Sequence, residues 1–477
     1  MKKLRKMMAV VLISCMVIGL MACGSDNGKA GDKDTGNNVE SSTDGNETNA
    51  AQEPAAEQED SGAEQETAAA DGEKVTLEFA QWWENELPEG KLAEIIDRFE
   101  EQHPNIEVKL VTNPYSSTHD ALIAGAATGT ISDVCGVDGT WIYDLSKMNA
   151  LLNLDTYMGA EDKFTAEDVS CVKVDGTTCM IPVVVYSYHM YANMTLLKEH
   201  GIEELPTTFD EFYAACEAVN DPDNNIYGWI TVLSEAYPSS SQDQFMSLVW
   251  ANQGNMIGED GRAVFADDTA VNDTFAFFKK CYDAGLVNPG IFSMTSPDMQ
   301  DTFANGYAAF MLSTCSTINT LRTANPDLEF TMGAVPVKDG MEGKSGVMYA
   351  PWGLGISANT EHPDEAWEFV SYLLSPEVNT EFAGYANAFP GNTKSEVISE
   401  DEAFVNAYKL VQENYLINQV QGLPSTEDLM KNLTVQLQLA FRGDQDIARS
   451  LTDSEDYWNQ VIGKQEFGNL PAVVFLE

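Results

Sequence analysis

The chain has 477 residues, with 75 Asp and Glu against 26 Lys and Arg, a formal net charge of -49 and an isoelectric point near 4.1. An acidic surface of this kind excludes nucleic-acid binding, which calls for a basic face, and it disfavours direct adhesion to anionic lipid. The excess charge reads first as solubility.

The chain opens on a basic patch, Met1-Lys2-Lys3-Leu4-Arg5-Lys6, followed by an apolar run from Met7 to about Leu20. That run is shorter than the roughly 20 residues a spanning helix needs and has the form of a secretory signal peptide. It closes on Leu20-Met21-Ala22-Cys23-Gly24. This stretch resembles the bacterial lipobox, which implies removal of residues 1–22 and lipidation (palmitate included) of Cys23. Residues 23–74 are Gly, Ser, Asn, Asp, Glu, Thr, Ala and Gln with almost no large apolar side chain. They cannot bury enough surface to offset their ordering entropy, so a disordered, charge-extended acidic tether is expected. Its length suits a lipid anchor on the outer face of a thick-walled, Gram-positive cell membrane. No second long apolar run follows.

About 400 residues remain from Val75 onward, more than one hydrophobic core usually holds, so two lobes are expected. Val75 to Ala80 alternates as a strand, and Leu92, Ile95, Ile96 and Phe99 carry helical spacing over Lys91 to Glu101. His103-Pro104-Asn105 stops that helix. A strand from Ile106 to Val111, a small-residue helix from His119 to Ala127 and a strand from Ser132-Asp133-Val134 complete a β-α-β-α-β series. Such alternation argues for an α/β lobe with a mostly parallel sheet. A hairpin at Asp175-Gly176 leads into the apolar strand Ile181 to Tyr186. Helices are expected over Asn193–His200, Phe209–Val219, Gln242–Asn252, Val271–Ala284 and His362–Leu374, and strands over Ala308–Leu312, Glu329–Val335 and Trp352–Ser357.

Cys15 falls within the signal. Of the rest, Cys135, Cys171, Cys179, Cys216, Cys281 and Cys315 form no CxxC pair, and there are 5 His, so neither a zinc site nor a cofactor is expected. Disulfides are permitted outside the cytoplasm, with lone buried thiols the expectation for most of the six. Asp221-Pro-Asp223-Asn-Asn225 begins like a calcium loop, but its twelfth position is Val232, so it reads as a turn.

Landmarks then recur in a fixed order: Trp82-Trp83; Phe99 through His103-Pro104-Asn105-Ile106; Ala126-Ala127-Thr128-Gly129 before Asp133-Val134; Asp138 and Trp141; Leu152-Asn153-Leu154-Asp155; Gly176 to Pro182; Leu205-Pro206 to Phe212; Phe303 to Met311; Gly353 to Ala358; Pro363 to Phe369; and Phe441-Arg442-Gly443. From Val75 to about Gln465 this series resembles family 1 extracellular solute-binding proteins, the group that includes the maltose-binding protein. The resemblance implies a two-lobed, class II-like periplasmic-binding fold with ligand in the cleft and hinge closure. It sets hinges near Val184–Tyr186, Leu312–Thr314 and Ser357–Thr360, an N-terminal lobe of residues 75–184 and 315–357, and a C-terminal lobe of 185–314 and 358–477. It further implies a monomeric receptor, not an enzyme, that delivers a small solute to the permease of an ABC importer.

Ligands of parallel-sheet lobes bind beyond the carboxyl ends of strands. Trp82, Trp83 and Glu84 stand there after the first strand, with aromatic faces for sugar rings and a carboxylate for hydroxyl protons. The resemblance assigns Asp138 and Trp141 to a contact loop, Tyr186 to the first hinge crossing with Tyr188 beside it, and Glu235 and Tyr237 to the second lobe. Ser313-Thr314-Cys315-Ser316 departs from the family's Trp-containing turn, which puts maltodextrin specificity in doubt and leaves Trp352 as the replacement ring. Sugar is the favoured ligand. A polyamine or peptide importer, a surface glycosidase using paired carboxylates and an adhesin remain as alternatives.

Overall fold

Val75, Leu77 and Phe79 turn to one side of an extended segment, and that alternation makes the first strand, β1 (Val75–Gln81). A computed structural model of the protein describes residues 74–159, 173–237, 239–399 and 401–463. The chain divides into two units, Met1–Ala69 and Ala70–Glu477, and every described residue lies in the second. The expected signal peptide, Cys23, the tether up to residue 73 and Cys171 lie outside the described residues.

β2 (Ile106–Thr112) pairs with β1 in parallel along its whole length, from Val75↔Ile106 to Gln81↔Thr112. The helix between them, Lys91–Gln102, buries Leu92, Ile95, Ile96 and Phe99, the stripe its spacing predicts. After the helix Tyr115–Thr128, β3 (Val134–Asp138) lies parallel on the other side of β1. β4 (Lys173–Val174) and β5 (Thr177–Thr178) form the expected hairpin, with Asp175 at φ 53 and Gly176 at φ 78. Both central residues at positive φ is the geometry that suits Asp-Gly.

β6 (Ile181–Asn193) is a single 13-residue strand, buried throughout. β7 (Tyr227–Ile230), β8 (Ala308–Thr314), β9 (Phe330–Gly333), β10 (Gly346–Ile356), β11 (Phe389–Pro390) and β12 (Tyr415–Ile417) complete the strands. The sheet runs β2-β1-β3-β10-β6-β8-β7. It is mixed: the β1–β2, β1–β3 and β7–β8 pairs are parallel, and β6 and β10 run antiparallel to their central neighbours.

The two long strands carry the chain between lobes. β6 pairs with β10 up to Ser187 and with β8 from Tyr188 onward. β10 pairs with β12 over Gly346–Met348, then with β6 and β3 from Tyr349 to Ile356. The exchanges therefore fall at Ser187/Tyr188 and Met348/Tyr349, the second ahead of the Ser357–Thr360 hinge expected from the sequence. The lobe boundaries shift accordingly. β9 lies on the second half of β6, with the second lobe. The helices Pro363–Leu373 and Pro376–Ala386 belong to the first lobe, where Phe369 packs on Phe79 at 5.4 Å and Phe382 on Trp83 at 5.6 Å, and β11 pairs with Val184 and Val185. An amphipathic stripe tells that a helix packs, not which open sheet face receives it. The helices Thr426–Arg442 and Ile447–Ile462 close the second lobe, with Leu429, Met430, Leu433, Leu437 and Trp458 in its core.

Cys135, Cys179, Cys216, Cys281 and Cys315 are free and buried, and burial pushes their thiols up; Cys281 stands at about 12 and Cys315 at about 11. The Asp221 segment is a turn, Pro222–Asn224, ended by Asn225 at φ 59. Among the described residues no His, Cys, Asp and Glu group is arranged to hold a metal ion, and no helix is long and apolar enough to cross a membrane.

Candidate ligand cleft

β1 and β3 end on the same side of the first lobe, where β1 runs into a short turn, Trp83–Asn85. Adjacent Trp82 and Trp83 diverge there. Trp83 lies flat on Trp352, 5.8 Å between centroids and 2° between planes, and edges against Phe79 and Phe382. It approaches so closely that a Cβ on Gly136 would meet its ring at 3.2 Å, so Trp83 is part of the lobe core. Trp82 is the hub of an aromatic cage, 5.3 Å from Tyr115, 5.1 Å from Trp141 and 5.3 Å from Trp352. Tyr186 edges onto Trp352 at 4.6 Å. The Trp82 indole N–H and the Tyr186 hydroxyl are buried without a hydrogen-bond partner.

Four carboxylates meet this cage, two from each lobe. Asp138, at the end of β3, accepts from the Thr140 backbone at 2.8 Å and its hydroxyl at 2.7 Å. Burial still raises its pKa, against these bonds and one from Tyr115. Glu86 is half-buried; desolvation lifts it to about 7 while a bond from Ser316 holds it down and Asp138 pushes it further up. From the second lobe, Asp243 accepts from the Tyr237 hydroxyl and is raised to about 7 by burial, with Tyr237 and Tyr188 opposing and Asp138 adding to the shift. Glu427 is also raised to about 7, by desolvation first and then by Asp120 and Asp138. Its Oε1 lies 3.3 Å from Nδ1 of His119, whose own pKa burial lowers and whose ring lies 5.1 Å from that of Trp141.

The lobes are closed over these groups. Ser425 donates its backbone N–H to Asp144 at 3.3 Å, and Gly422 donates to the Gly139 carbonyl at 3.3 Å. The approach is close: a Cβ on Gly139 would sit 1.7 Å from the Gln421 side-chain oxygen, so that side chain would have to turn aside. Among the described residues no lysine or arginine ion-pairs with Glu86, Asp138, Asp243 or Glu427. The charges that act on Glu86, Asp243 and Glu427 are those of other carboxylates, Asp138 among them in each case.

Of the residues singled out in the sequence, Trp82, Asp138, Trp141, Tyr186, Tyr188, Tyr237 and Trp352 come together here. Glu84 does not: its carboxylate accepts from Thr112 at 2.5 Å and its N–H donates to Gln81, which ties it back onto the β1–β2 sheet. Glu235 is exposed on a turn and joins neither the cage nor the carboxylates. Glu86, Tyr115, His119, Asp243 and Glu427 escaped the sequence reading. One signal was available for Asp243. The run Ser241-Gln242-Asp243-Gln244 is polar inside an otherwise apolar helix, and all four are buried in a π-helical turn, Ser241–Met246, a feature often found at functional sites.

Residues 84–380, more than half of the chain, match the family model described as bacterial extracellular solute-binding protein. A diacetylchitobiose binding protein of Streptomyces coelicolor is 24% identical over 376 residues, covering 78% of this chain and 78% of that protein. A putative binding protein of Brucella abortus is 23% identical over 327 residues, 68% of this chain and 78% of its own length. Among solved structures, a solute-binding protein of Thermotoga lettingae bound with α-D-tagatose superposes with a TM-score of 0.72 at 16% identity, over 82% of this chain and 100% of that one. The GacH receptor of Streptomyces glaucescens, solved unliganded and with acarbose, gives 0.69 at 18%, with the same 82% and 100%. The two-lobed fold, the closing cleft and the matched sequence agree, and the chain belongs to the bacterial extracellular solute-binding protein family.

Proposed function

We propose that the protein is the receptor of an ABC importer, which captures a sugar or short oligosaccharide between its lobes and passes it to a membrane permease. The observation that carries this reading is the cage of Trp82, Trp141, Trp352 and Tyr115 facing carboxylates and tyrosine hydroxyls from the opposite lobe. Flat aromatic rings cover the apolar faces of pyranose rings, while carboxylates accept hydroxyl protons in a desolvated cleft. Trp82, Asp138, Trp141, Tyr186, Tyr188, Tyr237 and Trp352 are the proposed contacts, joined by Glu86, Tyr115, Asp243 and Glu427. The protein acts as a monomer without cofactor or chemistry of its own, held to the outer face of the membrane through Cys23. The sugar-named relatives support this role; the carboxylate pairs alone would suit a glycosidase equally well.

A thermal-shift screen of the full chain against mono- and oligosaccharides tests the reading. A ligand that binds only the folded state, at about 100 times its dissociation constant, adds roughly 2.7 kcal/mol. A shift with one sugar series is expected, without hydrolysis products after incubation. Products would point to a glycosidase. A shift only with peptides or amines would keep the importer role and remove the sugar, and silence from folded protein would favour an adhesin.

A further inference from the structure

A neutral sugar brings at least as many acceptors as donors, and the cleft is not balanced in that way. Glu86, Asp138, Asp243 and Glu427 converge from both lobes, with no lysine or arginine among the described residues ion-paired to any of them, and His119 beside Glu427 is held towards its neutral form by burial. A second feature is independent of charge. Gln242 is 3% exposed, its amide nitrogen donates to Asp243 Oδ1 at 3.5 Å, and its side-chain oxygen, buried at the carboxylate, has no donor. Gln421, 1% exposed at the Gly139 approach, leaves both its amide atoms without partners. A buried acceptor without a donor is costly, so the Gln242 oxygen beside Asp243 calls for a donor from the ligand, while the Gln421 amide offers one acceptor and one donor.

We infer that the ligand is a saccharide carrying at least one protonated amino group, seated with its ammonium among Glu86, Asp138 and Asp243 and its ring against Trp82. This inference rests on the carbohydrate reading above and narrows it. An ammonium supplies three donors and the positive charge the four carboxylates lack. The tryptophan faces add to its binding, since an indole ring attracts a desolvated cation. A neutral sugar would leave the mutual repulsion of the carboxylates in place, and an anionic one would add to it.

Titration calorimetry of the full chain at neutral pH, with three β-1,4-linked disaccharides of one skeleton, separates these cases. The probes are the glucosamine dimer, its diacetylated form and cellobiose, with glucosamine and glucose as a matched monosaccharide pair and putrescine as a sugar-free diamine. An aminated sugar is expected to bind at least about tenfold more tightly than its neutral counterparts, a gap that narrows as ionic strength rises. Asp243→Asn, and separately Glu86→Gln, should weaken the aminated sugars by a larger factor than the neutral ones and so erase most of that preference; an equal loss for both classes would overturn the inference. A neutral sugar that binds as tightly as its aminated counterpart overturns the inference and leaves the sugar-receptor reading standing. Binding of putrescine with no binding by any saccharide overturns both. Failure of both aminated sugars to bind also overturns the inference.

Discussion

Trp82 and Trp83 are buried neighbours that share Trp352, but Trp82 also meets Tyr115 and Trp141 of the cage while Trp83 meets Phe79 and Phe382 of the lobe core, so their substitutions should weight binding and folding differently. Trp82 faces three other rings of the cage, and Trp82→Ala should weaken sugar binding by about 2 kcal/mol or more, near thirtyfold, as buried aromatic anchors do; calorimetry checks it. Trp83 is fully buried between Trp352, Phe79 and Phe382. Trp83→Ala should cost about 3–5 kcal/mol of stability, read from the urea midpoint. Asp243 makes a prediction in pH. Its folded pKa, about 7, lies above the ordinary carboxylate value of about 4. The folded state therefore binds the extra proton, a stabilisation fully present below about pH 4 and lost as pH rises through about 7. Asp243→Asn should flatten the fall in unfolding free energy across that window, by at most about 1.4 kcal/mol per pH unit. An unchanged slope would remove Asp243 as its source. The sequence pointed to the Trp82-Trp83 end of the first strand but chose Glu84 over Glu86. Both follow the strand, and only the turn Trp83–Asn85 decides that Glu84 bonds back to Thr112 while Glu86 meets Ser316.

At the level of elements, the regular pieces were legible because their signals are local. The stripe of the helix Lys91–Gln102 and the Asp175-Gly176 turn need no distant partner. The helix Phe209–Val219 likewise starts where its capping box says, with Thr208 and Glu211 bonding reciprocally. Placement of the later helices was not local. Pro363–Leu373 and Pro376–Ala386 return to the first lobe because the face bearing Phe79 and Trp83 would otherwise stay open. The return depends on β11, whose exit brings Gly391 against β6; a Cβ there would lie 1.7 Å from the Pro182 carbonyl oxygen, a backbone atom that cannot turn aside. Gly391→Ala should therefore destabilise the protein by about 1–3 kcal/mol, the usual cost of overpacking. Differential scanning calorimetry would show it as a lowered midpoint, and a midpoint within error of the parent would mean that β11 can shift freely.

For the whole molecule, the carboxylates link pH to the hinge. Closing the lobes brings Glu86 and Asp138 against Asp243 and Glu427, and like charges brought together in a desolvated cleft repel. Protonation favours the closed form, and ionisation, as pH rises through about 7, favours lobes that open to rehydrate the charges. Small-angle scattering of the free protein should show the radius of gyration increasing from mildly acid to mildly alkaline pH, and saturating ligand should suppress the increase. A radius independent of pH would show that closure is not coupled to these groups. Sequence alone determined the family, the α/β class and the strand end at which the cleft lies, because hydrophobic period, turn chemistry and a spaced series of landmarks are all written along the chain. Only the tertiary structure decided which helix covers which lobe, where β6 and β10 change partners, and that Asp243 and Glu427 stand with Glu86 and Asp138. Those are approaches between residues as much as 289 positions apart, as in Asp138 and Glu427, and no local pattern encodes them; they follow from closing two packed lobes on one another.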